Sequence, residues 1–269
     1  MIRRQSIFPA PWLAPFVDRF WSASGSGPLP FLLPGTGIDI FFHRAAPFSL
    51  AAPAGDAPSQ SCPRAHLLCL RTRPARLFSA GPVDFFAVRF RAGTARHFLP
   101  VPEPELFDCT VDLADLWPFA APAIESIRSA PSLDAAAIFI SRLLAACLEL
   151  HRKPDPWLDA AAARLYYARH PESIDSVARR AGASRRHLER RFAAVFGVSP
   201  KRFQSVARLQ RVVRSCALQG SSPLDAALEA GFYDQSHLSK SCREIAGISP
   251  ARLASLAETS HFYNPPRPR

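Results

Sequence analysis

The hydrophobic pattern changes period along the chain. Up to Phe90 apolar residues come in short runs broken by Pro, Gly and Ser. Val17 to Ala23 is aromatic, bounded by Pro15 and a Ser/Gly cluster, and reads as a strand. Leu29 to His43 reads as a hairpin: Pro34-Gly35-Thr36-Gly37 is its turn and Ile38 to His43 its returning strand. Ala51 to Pro63 is a Pro/Ala/Gly/Ser loop, and three more short strands follow at Ala65–Thr72, Ala75–Ala80 and Phe85–Phe90. In the last, Phe86, Val88 and Phe90 share one face and Phe85, Ala87 and Arg89 the other. Short strands at this spacing predict a sandwich or small barrel.

Beyond Phe90 the period becomes helical. Thr94 to Leu99 has room for one turn before Pro100, Pro102 and Pro104. Leu113 to Ser129 is a helix cut by Pro118 and Pro122. Ser132 to Arg152 is stronger, with Leu133, Ala136, Ile140, Leu143, Cys147 and Leu150 at three- and four-residue spacing. That helix either packs on its own domain or pairs with a second copy. Pro154-Asp155-Pro156 then breaks the chain and is read as a domain boundary. Asp155 to His170 is a helix with Leu158, Ala162, Leu165 and Tyr166 as its apolar stripe.

From Ser173 to Leu253 the pattern repeats itself. Ile174, Val177, Ala178 and Ala181 form one short apolar helix, Gly182 a turn, and Ser184 the cap of a helix whose Leu188 and Phe192 point inward. Pro200, after Ser199, opens a long helix to about Leu218, with Phe203, Val206, Leu209 and Val213 on its buried side. Ser222-Pro223 starts the second copy and Ser249-Pro250 the last short helix. His187 aligns with His237, Leu188 with Leu238, Gly197 with Gly247 and Pro200 with Pro250. A short apolar helix, a glycine turn and a polar-faced helix, twice over, is the sequence form of a duplicated helix-turn-helix. The chain is therefore expected to be α+β with two domains. Residues 1–153 form a β-rich, sandwich- or barrel-like domain ending in helices. Residues 154–258 form an all-α domain of two helix-turn-helix units joined by a long helix, and 259–269 a disordered tail.

Charge sharpens this division. The net charge of +11 is unevenly spread: residues 1–153 carry 15 Lys+Arg against 12 Asp+Glu, and residues 154–269 carry 18 against 10. The shorter half thus holds +8 of the excess, which favours a polyanionic partner. Arg185, Arg186, Arg190 and Arg191 crowd one polar helix, an arrangement suited to solvent or to anions. The longest apolar stretch, Ala135 to Leu150, is interrupted by Arg142, and no apolar segment follows Arg3-Arg4, so neither a membrane span nor a signal peptide is expected. The expected location is the cytoplasm, and the nucleoid when DNA is bound. None of the six cysteines forms a Cys-x-x-Cys pair, and buried free thiols are the expected state.

The residues that carry the duplication resemble the AraC/XylS family of bacterial transcriptional regulators. The likeness rests on Ala181-Gly182, Ser184, His187-Leu188, Arg190 and Phe192, then Phe196-Gly197 and Ser199-Pro200. The second copy supplies Ala230-Gly231-Phe232-Tyr233-Asp234-Gln235-Ser236-His237-Leu238-Ser239-Lys240 and Gly247-Ile248-Ser249-Pro250. It covers about residues 155–256. More weakly, Leu32 to Phe42 and Val88 to Gly93 resemble an uncharacterised β-rich domain found ahead of this module. The resemblance implies a sequence-specific, non-enzymatic regulator that reads two successive major grooves of double-stranded DNA. Base contacts map to Arg186, Glu189 and Arg190 in the first unit and Gln235, Ser236, His237 and Lys240 in the second. Arg can fork onto guanine, Gln onto adenine, and Glu can accept from cytosine. Ser184, Arg185, Lys201 and Ser239 map to phosphate contacts. His187 faces either phosphate or the neighbouring helix. A small effector or a homodimer contact falls to the N-terminal domain, and RNA polymerase is the partner if the protein activates. No cofactor or metal is implied. Cys242 stands where the family usually carries Phe, so the second unit should be less stable unless neighbours compensate.

Two other readings stay open. One is an enzyme or small-molecule-binding protein with an attached, weakened DNA-binding unit; a metal enzyme would require clustered ligands, whereas His43, His66 and His97 are scattered along the sequence. The other is a ligand-binding protein that has lost DNA binding, for which Cys242 and Glu189 are the support. Trp21, Phe31, Phe42, Phe86 and Phe90 either line a ligand cavity or are plain core.

Overall fold

The computed structural model describes the chain except residues 30, 36, 52–59, 69–70, 169–170 and 258–269, together with the side chains of 217–219 and 254–257. The tail expected at 259–269 lies outside the described residues. The chain divides into two compact units. The first contains residues 1–29, 37–70 and 76–154, and the second 30–36, 71–75 and 155–269.

The strands are β1 (Arg3–Ile7), β2 (Val17–Gly25), β3 (Phe31–Leu32), β4 (Asp39–His43), β5 (Ser49–Ala51), β6 (Gln60–Ser61), β7 (Ala65–Leu68), β8 (Ala75–Phe78), β9 (Val83–Phe90) and β10 (Thr110–Asp112). One sheet has the order β1-β2-β9-β4-β7-β10, and its register pairs are antiparallel. In a second, smaller sheet β5 pairs with β6 and β8. The hairpin expected over Leu29–His43 does not form, because β4 takes β9 and β7 as its neighbours. Six residues, 33–38, lie between β3 and β4, and this is no two-residue hairpin turn.

The large sheet has two different faces. Phe20, Ile40, Phe42, Leu67, Phe86, Val88 and Phe90 belong to the main apolar core with the helices α1 (Leu113–Leu116), α2 (Ala121–Arg128) and α3 (Leu133–His151). By strand alternation and register, Arg19, Trp21, Asp39, Phe41, His43, His66, Phe85 and Arg89 stand on the other face. The aromatic set Trp21, Phe31, Phe42, Phe86 and Phe90 is therefore split: Phe42, Phe86 and Phe90 are core beneath the helices, Trp21 is on the opposite side, and Phe31 packs on the core of the second unit. That opposite face buries an Arg89–Asp39 ion pair. Burial raises the Asp39 pKa, and Arg89 and Arg19 oppose the rise.

Pro118 and Pro122 divide the stretch after β10 into α1, a short 3-10 turn at Pro118–Ala120, and α2. Ser132 caps α3 by accepting from the Ala135 N–H. Leu133, Ala136, Ile140, Leu143 and Cys147 are buried on α3, but Leu150 at its end is exposed rather than part of the stripe. No helix among the described residues is long and apolar enough to cross a membrane. Among the described residues no disulfide is formed. Cys62, Cys147 and Cys242 are buried and Cys109 is exposed.

The second unit holds α4 (Pro156–Tyr167), α5 (Ile174–Arg180), α6 (Arg185–Phe196), α7 (Pro200–Gln219), α8 (Pro223–Glu229), α9 (Gln235–Ala246) and α10 (Pro250–Ala257). Ser173, Ser184, Ser199, Ser222 and Asp234 cap α5 to α9 in turn, each side chain accepting from a backbone N–H in the first turn. Phe192, Phe196 and Phe203 stack around one another at 4.5–5.9 Å and close the first helix-turn-helix on α7. The second closes on the same helix through Val206, Leu209, Val212 and Val213.

Candidate nucleic-acid interface

The two helix-turn-helix units are near copies with one difference. α5 and α8 each have seven residues and α6 and α9 twelve. The first turn has four residues, 181–184, and the second five, 230–234. Each turn carries one glycine at positive φ, Gly182 at +67° and Gly231 at +83°, where a side chain would be strained. The longer second turn sends Phe232 into the core and leaves Tyr233 88% exposed.

That extra residue bears on Cys242. Counting 50 residues back, Cys242 and Ala246 stand where the first unit has Phe192 and Phe196. The lost aromatic volume is met from elsewhere: Phe232, fully enclosed with Cys242, Ile245 and Leu253, and Leu33 from residues 30–36 join the same cluster. Burial pushes the Cys242 thiol up to about 11, so it is an inert core residue.

On α6, Arg186 and Arg190 are exposed, and Glu189 is half-buried beside them. Positions 186, 189 and 190 share a helix face. Arg185 is engaged within the chain: its Nε donates to Glu189 Oε1 at 2.8 Å and its Nη1 reaches Asp175 Oδ2 at 3.4 Å. Those carboxylates raise the Arg185 pKa. Arg191 ties to the buried Asp155 at 2.7 Å and has a role in holding α6 to the start of α4. His187 is exposed, with its ring 5.4 Å from that of Trp157 on α4 and its Nδ1 3.3 Å from the Arg190 guanidinium. The ring therefore lies beside the neighbouring helix and keeps an exposed face.

On α9, Gln235, Ser236 and Lys240 are exposed, while His237 and Ser239 are half-buried. Asp234 Oδ1 accepts from the His237 backbone N–H at 2.7 Å and fixes the first turn. The His237 ring lies between Phe232, edge to face at 5.1 Å, and Tyr233, stacked at 5.9 Å and 20°. Arg208 of α7 stands over the Phe232 ring at 5.2 Å and donates to the Gly231 carbonyl at 3.4 Å, buttressing the turn from below. Lys240 pairs loosely with Glu244 at 3.9 Å. Ser184 and Lys201 are both exposed, and the Ser184 oxygen also serves as the α6 cap.

Tyr233 is the exposed residue the sequence reading passed over. Its signal was present: the alignment of the repeats needs an inserted residue, and the insertion is aromatic.

Elsewhere, His43 and His66 meet with ring centroids 5.2 Å apart on the sheet, while His97 packs against Phe16 at 5.2 Å. Among the described residues no group of three or more His, Cys, Asp or Glu side chains could hold a metal ion.

Residues 177–255 match a family model described as a helix-turn-helix domain, HTH_18, and residues 5–112 match a domain of unknown function, DUF6597. Eighty residues are 32% identical to the HTH-type transcriptional regulator MtrA of Neisseria gonorrhoeae, covering 30% of this chain and 27% of that protein. Eighty-eight are 33% identical to the bifunctional transcriptional activator/DNA repair enzyme Ada of Escherichia coli strain K12, covering 33% and 25%. The chain thus spans about a quarter of the length of these relatives. Two crystal structures of ToxT from Vibrio cholerae share the fold, with TM-scores of 0.53 and 0.52 at 10% and 12% identity. Each covers 88% of this chain and 98% of its own. They have the same order, a sheet-rich N-terminal region followed by a helical region with the helix-turn-helix. The chain is thus similar to a DUF6597 domain in its first part and, in its last, to the helix-turn-helix domain that transcriptional regulators such as MtrA carry.

Proposed function

We propose that the chain is a sequence-specific DNA-binding transcription regulator that reads two successive major grooves with α6 and α9. The observation that carries this reading is the pair of matching helix-turn-helix units, each exposing a polar, cationic helix face, closed on one continuous helix. α7 has 20 residues, about 30 Å at 1.5 Å per residue, close to the roughly 34 Å of one duplex turn. Arg186, Glu189 and Arg190 are assigned to base edges in one half-site and Gln235, Ser236, His237 and Lys240 in the other. Ser184, Arg185, Lys201 and Ser239 are assigned to phosphates, with Arg185 exchanging its carboxylate partners for a phosphate oxygen. The first unit senses a small effector or mediates homodimerisation, and RNA polymerase is the further partner where the regulator activates. The protein is assigned no enzymatic role: the likeness to the repair enzyme is confined to the helix-turn-helix region. A cytoplasmic location, on the nucleoid when DNA is bound, goes with this function.

The test is selection of bound sequences from a random duplex pool, followed by titration of the winning site. Arg190→Ala and Gln235→Ala are each expected to cost about 1–3 kcal/mol and to relax preference at one base pair. Lys201→Ala is expected to weaken all sequences alike and lower the salt slope by about one. Recovery of no preferred sequence, or unchanged discrimination in both base-reading variants, would overturn the assignment.

A further inference from the structure

The duplicated helix-turn-helix begins with α5 at Ile174, yet the core of its second copy holds a side chain from the far end of the sequence. Leu33 is 6% exposed and belongs to one cluster with Val206, Leu209, Phe232, Leu238 and Cys242, and Phe31 packs against that cluster. Residues 30–36 compact with the helices of the second unit, although the chain on either side of them belongs to the first.

The seat of this segment is built on α7. Gln210 is buried, and both ends of its amide are engaged: Oε1 accepts from the Tyr166 hydroxyl at 2.9 Å, and Nε2 donates to the Pro34 carbonyl at 3.5 Å. Taking the segment away would leave that buried donor without its acceptor, which costs more than the bond itself returns. Gly35 passes against the same amide. A Cβ at Gly35 would stand 2.7 Å from Gln210 Nε2, too close for a side-chain carbon, so the approach requires glycine. The Gly35 N–H donates to the Arg71 carbonyl at 3.3 Å and ties the segment to residues 71–75 of the same unit. Apolar burial, a buried amide and a close backbone approach agree on one placement.

The two copies differ in how much they need it. The first closes on α7 with its own Phe192, Phe196 and Phe203. The second has Cys242 and Ala246 at the places of Phe192 and Phe196, so α9 brings less volume of its own to the shared helix. We propose that residues 31–35 are a structural part of the second helix-turn-helix, a clamp that positions α9 and leaves α6 independent. Leu33 is then a positioning residue, acting through the core beneath α9 and not on DNA itself. The consequence for recognition rests on the DNA-reading assignment; the placement does not.

Amide hydrogen exchange of the full-length chain without DNA is the first readout. In Leu33→Ala the amides of α9 are expected to exchange faster by about tenfold or more, as in a local opening, while those of α6 keep their wild-type rates. Leu33→Met keeps the volume and should keep wild-type protection. Gly35→Val adds bulk against Gln210 without removing any apolar contact, and it should reproduce the Leu33→Ala pattern. Circular dichroism checks that each variant is folded, and the milder Leu33→Val replaces Leu33→Ala if alanine unfolds the whole chain. On the duplex selected by the wild type, Leu33→Ala should lose discrimination by about fivefold or more per base pair in one half-site and keep it in the other. In folded variants, equal acceleration of α6 and α9, or none in either, would overturn the proposal, as would Leu33→Met behaving like Leu33→Ala. If the wild type selected no sequence, the DNA-reading assignment would fall, and the exchange pattern would still decide whether residues 31–35 hold α9.

Discussion

Replacing His43 with Phe measures what it costs to keep an imidazole neutral against the sheet. His43 is fully buried, and neither ring nitrogen has a hydrogen-bond partner. Its ring stands edge to face on Phe48 at 4.6 Å and parallel to His66 at 5.2 Å. Burial above all, then the neighbouring His66 and Arg128, lowers its pKa from 6.5 to about 3. The unfolded chain takes up a proton near pH 6.5 and the folded chain does not until about pH 3. The contribution to stability is therefore complete above pH 6.5 and declines as pH falls toward 3, by about 1.4 kcal/mol per pH unit. At pH 5 the loss is about 2 kcal/mol. Phe keeps a planar ring, removes two unpartnered nitrogens and does not titrate. Wild type and His43→Phe are expected to lie within about 1 kcal/mol at pH 8. At pH 5 the variant should gain about 2 kcal/mol relative to that baseline. Urea unfolding followed by tryptophan emission is the assay, since Trp12, Trp21 and Trp117 report the first unit and Trp157 the second. Other titrating groups, His66 and Glu103 among them, are common to both proteins and largely cancel in the difference. A difference that did not change between pH 8 and pH 5 would refute the reasoning, since the imidazole would then titrate alike in the folded and unfolded chain.

Three further outcomes are expected. Cys242→Phe should overfill a cluster already closed by Phe232 and Leu33, costing about 1–3 kcal/mol, whereas a raised melting temperature would reveal a void. Glu103 is buried, and burial lifts its pKa to about 7 against 4.5 in the unfolded chain. The fold therefore loses about 3 kcal/mol as pH rises from 4.5 through 7, and Glu103→Gln should remove that slope in pH-dependent urea melts. Tyr233→Ala deletes an exposed ring, so it should leave the melting temperature within about 1 °C, as small surface effects do, while weakening binding to the selected duplex.

The helices were legible in the sequence because their signals are local. Ser132, Ser173, Ser184, Ser199 and Ser222 each sit at the residue where a helix begins, and Pro118 and Pro122 break the stretch they occupy. The sheet was less legible because pairing is not local. β1 is polar and exposed except at Ile7, β10 is three residues long, and both gain their identity only from pairing, β1 with β2 and β10 with β7. His43 and His66 look unrelated in sequence; the register that sets Phe41 opposite His66 brings them together. The candidate DNA-facing residues were legible from the resemblance, but their internal engagements were not. That Arg191 is bound to Asp155 and Arg185 to Glu189 depends on rotamers and on a neighbouring helix.

The single helix α7 also fixes a phase. Both helix-turn-helix cores close on its side chains, so the angle between the two reading helices is set within one rigid rod, with no hinge between them to adjust it. A duplex winds about 34° per base pair, given 10.5 base pairs to a turn. One base pair inserted between two half-sites would therefore swing the second away from α9 while α6 stayed in place. A reader of this kind measures distance as strictly as it measures bases, and the empty steps between its two contacts become part of the sequence it recognises.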